Sequence, residues 1–118
     1  MNLFKISKMP GKEELVEQLI ADHGIAIERI ISCGHSSPEG FWYNQERDEW
    51  VALLQGEAEI TWKDGRSLLM KAGDWLFIPA GEEHRVERTS GNPPCIWLAV
   101  YGNMGSGCNT QEQPGSSK

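Results

Sequence analysis

Gly73-Asp74-Trp75-Leu76-Phe77-Ile78-Pro79-Ala80-Gly81-Glu82-Glu83-His84 is the stretch that decides how this chain reads. Its spacing is G-x5-P-x-G-x2-H, and each fixed position has a physical task. Gly73 allows a turn into the apolar run 75–78, which has the composition of a short strand. Pro79 cannot donate to a ladder and ends the pairing, and Gly81 permits the bend that returns the chain. His84 then opens the next strand, placed to face inward.

Working outward, similar short strands recur on both sides. Segments 49–55 and 57–62 flank a turn at Gly56, and Lys63-Asp64-Gly65 is a tight hairpin signal leading into 67–71. The run 84–88 follows His84, and 95–101 closes the series after Ser90-Gly91-Asn92-Pro93-Pro94. Upstream, 25–32 alternates in isoleucine and reads as a further strand. One helix is expected, over 12–22, where Leu15, Val16, Leu19 and Ile20 recur at helical spacing and Gly24 supplies the stop. About seven short strands with Gly, Pro and Asp turns and a single helix describe an all-β sandwich or barrel. The expected organisation is an N-terminal portion over 1–24 packed on a barrel over 25–102. A disordered tail is expected over 103–118, where apolar side chains are scarce.

The 118 residues suit one domain. Seventeen acidic against eleven basic side chains give a net charge of −6, which argues against nucleic acid and anionic lipid as partners. No signal peptide or membrane span is read, so a cytoplasmic location is expected. Cys33, Cys95 and Cys108 are three, unpaired in pattern, and read as reduced thiols.

The stretch 73–84 resembles the second conserved motif of the cupin superfamily at every fixed position through the histidine. That resemblance implies a jelly-roll β-barrel, with His84 as a metal ligand. The family's first motif, G-x5-H-x-H-x3-4-E-x6-G, is kept in its right-hand half by Glu49 and Gly56. Counting back from Glu49 places Gln45 and Tyr43 where two histidines stand in the family, and Ser37 where its glycine stands. The phrase Ser37-Pro38-Glu39-Gly40-Phe41-Trp42-Tyr43-Asn44-Gln45, followed by Asp48-Glu49-Trp50, is similar to small bacterial cupins without an assigned reaction.

Positions 43, 45 and 49 share strand parity, so all three are expected to face the pocket with His84. The expected metal shell is Gln45, Glu49 and His84. One imidazole and several oxygens suit a weakly held divalent first-row ion such as Mn, Fe, Ni or Zn. Tyr43 and Glu49 are the expected proton-transfer residues. Two alternatives stay open at this level. His84 and Glu49 would merely hydrogen-bond each other, or a register counted from Gly40 would put Glu46 and Asp48 in the site.

The cupin barrel hosts many reactions. The leading expectation is a metal-dependent enzyme on a small polar metabolite, a carboxylate or sugar derivative held in the barrel. The others are a binding or sensing module without turnover and a structural homodimer with an inert pocket. A homodimer is expected in any case, because Trp50 and Leu54 lie on the strand face opposite Glu49 and need cover.

Overall fold

A computed structural model describes residues 1–105. The strands are β1 (Leu15–Ile20), β2 (Ala26–Ser32), β3 (Asp48–Gln55), β4 (Glu57–Trp62), β5 (Ser67–Lys71), β6 (Trp75–Ile78), β7 (His84–Thr89) and β8 (Cys95–Gly102). They form a five-stranded sheet in the order β1-β2-β8-β3-β6 and a three-stranded sheet in the order β5-β4-β7, paired antiparallel throughout. The two sheets enclose a core that includes Leu53, Ile60, Trp62, Met70, Ile78 and Trp97. This is the all-β sandwich that the turn spacing implies. Among the described residues no helix is long and apolar enough to cross a membrane.

The crossover from β3 to β4 depends on Gly56. Its φ is +92°, and a Cβ there would lie 2.8 Å from both Cys95 Sγ and Ser90 Oγ. Only a residue without a side chain permits that approach.

The helix expected over 12–22 is absent, and residues 15–20 form strand β1 instead. Leu15, Val16, Leu19 and Ile20 satisfy helical spacing, but burial alternates with period two. Tertiary context overrides the local pattern here. Without β1, β2 would present an unpaired edge, and Arg29 on it is buried. Pairing places Glu17 opposite Arg29, where the carboxylate accepts from the guanidinium. The carbonyls of Leu3 and Lys5 accept from Arg29 Nη1. A buried charge requires such partners, and a helix at this position would not supply the paired edge.

At the other end, the Met104 amide donates to Asp48 Oδ2 at 3.0 Å, so the chain just beyond β8 is tied to the start of β3. The remainder of the expected tail, 106–118, lies outside the described residues.

Candidate functional site

His84 is positioned by backbone on both sides. Its N–H donates to the Tyr43 carbonyl, and its carbonyl accepts from the Tyr43 N–H at 2.7 Å, so Tyr43 forms a bridge beside the first residue of β7. The two rings stack with centroids 5.5 Å apart and planes at 26°. His84 Nδ1 is 2.9 Å from the Glu82 carbonyl. Nδ1–H donates there, which leaves Nε2 as the free ring nitrogen in the neutral imidazole. Glu49 projects from β3 toward it, and Nε2 is 3.7 Å from Glu49 Oε1, beyond direct hydrogen-bond range.

Both groups are buried, at 5 % exposure for His84 and 7 % for Glu49. They line an inner pocket of about 60 Å³ whose walls include Ile30, Val51, Ile60, Ile78, Val86 and Trp97. In that apolar surrounding, burial pushes the Glu49 carboxyl up to about 7, although a hydrogen bond from Tyr101 acts the other way. Burial pulls the His84 imidazole down. The Tyr43 phenol is raised by burial, with Glu14 and Glu49 adding to it. Near neutral pH the pocket therefore holds an uncharged imidazole beside a carboxyl poised between its two forms.

A larger vestibule of about 510 Å³ adjoins this pocket, and Glu14, Tyr43 and Val86 line both. Its remaining wall includes Lys12, Glu13, Ser36 and Phe41, the last meeting Tyr43 edge-on at 4.8 Å. His35 lines it as well. The imidazole is fixed by the Cys33 N–H at Nδ1 and the Gly11 carbonyl at Nε2. Ser37, at the position of the family glycine, has a structural role: its Oγ accepts from the Val86 N–H.

Gln45 is not in the inner pocket. It lines a separate surface hollow with Glu28, Glu46, Arg47 and Tyr101, beside the phenol whose strand position lies opposite Glu49. The parity argument for Gln45 needs an extended strand from Tyr43 onward, but β3 begins only at Asp48. The competing register does not build the pocket either. Glu46 is exposed, and the buried Asp48 carboxylate accepts from the Ala80 and Met104 amides. Two contributors escape the sequence reading. Tyr101 is the cross-strand partner of Glu49, and that pairing exists only in the β3–β8 register. Glu14, the residue immediately before β1, also lines the pocket.

The family whose description is "Cupin domain" matches residues 31–101 of this chain. The chain is a cupin. It is similar in structure to a proposed mannose-6-phosphate isomerase from Ralstonia eutropha JMP134. The identity is 41 %, over 87 % of this cupin and 96 % of that chain, with a TM-score of 0.81. A cupin superfamily protein from Desulfitobacterium hafniense DCB-2 shares the fold at 22 % identity and a TM-score of 0.68, over 81 % and 83 % of the two chains. In sequence, an uncharacterized protein of Aquifex aeolicus strain VF5 is 34 % identical over 59 residues. That match spans 50 % of this cupin and 46 % of the relative, so less than half of the relative's length is represented.

Cupins commonly bind metal ions. In this one, among the described residues, no three His, Cys, Asp or Glu side chains converge on a point. One imidazole and one carboxyl that burial favours in its protonated form are too few donors to retain a first-row ion, whose protein sites ordinarily use three or four. The residues present do not fit a resident metal centre.

Proposed function

We propose that this cupin receives a small polar metabolite in its vestibule and exchanges a proton with the group that enters the inner pocket. Glu49 is the proton-transfer residue and His84 Nε2 its polar counterpart. The single observation that carries this reading is the Glu49–His84 pair, buried in an apolar pocket that opens on the vestibule. A carboxyl raised to about 7 both gives and takes a proton near neutral pH. Tyr43, stacked on His84 at the junction of the two spaces, donates a hydrogen bond to the bound group. The inner pocket is about 60 Å³, room for one functional group such as a carbonyl or hydroxyl, with the rest of the metabolite outside. No step passes through a metal ion.

A binding module without turnover would use the same two spaces, and the small inner pocket favours it as the second reading. The test is a thermal-shift screen of sugars, hydroxy acids and keto acids in the presence of chelator. Each hit is then followed by NMR in deuterated water for loss of a carbon-bound proton. Proton exchange abolished by Glu49→Gln, with binding retained, supports the enzyme. Hits that bind without exchange support the module. No hit in chelator, with hits restored by added Mn, Fe, Ni or Zn, overturns both in favour of a metal-dependent site.

A further inference from the structure

The charge around the vestibule discriminates among metabolites. Glu13 and Glu14 line it, and Glu49 lies in the pocket below. Against these, Lys12 is the one cationic side chain among the described residues lining the space. Both ring nitrogens of His35 are engaged, Nδ1 by the Cys33 N–H at 2.8 Å and Nε2 by the Gly11 carbonyl at 2.9 Å, so neither is free for a ligand. The arginine nearest this wall is committed elsewhere. Arg85 donates to the carbonyls of Ser37 and Pro38 at 3.0 Å each, and its Nε faces Glu87 at 3.2 Å, off the axis of a hydrogen bond. No guanidinium is left for the paired hydrogen bonds that recognise a phosphate or carboxylate.

What the vestibule does offer suits hydroxyl groups. Glu13 and the free oxygen of Glu14 accept, the other Glu14 oxygen being held by Ser32 Oγ at 2.8 Å. Ser36 and the Tyr43 phenol both donate and accept. Phe41, exposed and edge-on to Tyr43, presents an apolar face of the kind that packs on the C–H side of a sugar ring.

Resting on the reading of this space as a metabolite site, we infer that the vestibule takes an uncharged polyhydroxylated compound, a free sugar or polyol, in preference to its phosphorylated or carboxylated form. A phosphate placed here meets three carboxyl-bearing side chains and one lysine, and like charge opposes binding.

The experiment titrates the ¹⁵N-labelled full chain with D-mannose, D-mannitol and mannose 6-phosphate at equal ionic strength. The expected result is shifts at the amides of Ser36, Phe41 and Tyr43 with the two neutral probes, and binding of the phosphate weaker by about tenfold or more. Glu13→Lys narrows that gap by adding a cation to the rim, while Phe41→Ala weakens both classes together. Mannose 6-phosphate binding as tightly as D-mannose overturns the inference and leaves the metabolite site standing. Silence of all three probes at these amides overturns the inference too, while the metabolite screen judges the Glu49–His84 reading separately.

Discussion

Glu49 and Tyr101 face each other across the β3–β8 ladder, and the phenol is the polar neighbour that favours the charged form of a carboxyl set in a largely apolar pocket. That interaction opposes the burial that drives the carboxyl toward its protonated form. The Tyr101 phenol is itself raised far above its ordinary value by burial and by the nearby Glu49, so it remains a donor across the accessible pH range.

Tyr101→Phe therefore raises the Glu49 pKa above its value of about 7, because the lost bond favours the charged form. A ¹³C titration of the labelled glutamate carboxyls reads the midpoint directly. Gln45→Leu shifts it in the same direction by less, since Gln45 touches the phenol and not the carboxyl. An unmoved midpoint in Tyr101→Phe would show that the bond contributes nothing.

Stability follows the same carboxyl. Its folded pKa of about 7 exceeds the ordinary glutamate value of 4.5, so between those limits the folded state holds more protons than the unfolded chain. The contribution of Glu49 is complete below pH 4.5, falls as the pH rises, and levels off above about 7. His84 acts oppositely: its lowered pKa costs stability as the pH drops through the imidazole range. Glu49→Gln should flatten the decline between pH 4.5 and about 7 and stabilise the protein at pH 8 by an amount on the order of 3 kcal/mol or less. Urea unfolding of both proteins at pH 5 and pH 8 measures it, and parallel pH dependences would contradict the shift.

Gly56→Ala forces a Cβ against Cys95 and Ser90 at a backbone angle that side chains rarely adopt. The cost should be roughly 2–4 kcal/mol, lowering Tm by roughly 10 °C or more. Differential scanning calorimetry with a change of only a degree or two would mean that the crossover relaxes easily.

On the outer face of the larger sheet, Trp50 and Trp75 lie 5.9 Å apart, and Trp75 is exposed. We expect this aromatic pair to be covered by a second copy of the chain, giving a homodimer. Sedimentation velocity at micromolar concentration should show a dimer that Trp75→Glu dissociates. A monomer for the unmodified protein rules the arrangement out.

How much of this was legible in the residues depends on how each was encoded. Strands β4, β5 and β6 match their expected bounds because Gly56, Asp64-Gly65 and Gly73-Asp74 punctuate them locally. His84 and Glu49 were recoverable from spacing, since the turn chemistry around Pro79 and Gly81 fixes where the next strand starts. β1 was not, because its apolar spacing fits a helix as well as an alternating strand, and the deciding partner is a buried arginine elsewhere in the chain. For Gln45 the parity argument needs a strand running from Tyr43, five residues before β3 begins at Asp48. Tyr101 carries no local mark at all; its role arises from register between strands distant in sequence.

The wall contributed from the N-terminal side has a practical meaning for anyone trimming this protein. Residues 31–101 carry the family signature, yet Glu14 reaches the inner pocket from ahead of β1, and Lys12 and Glu13 complete the rim. A fragment cut to the signature would lose one side of its cleft, along with edge strand β1 and most of β2, Arg29 and its partner Glu17 included. Recognition and fold are thus encoded over different lengths of chain, and the working unit begins well before the part that identifies it.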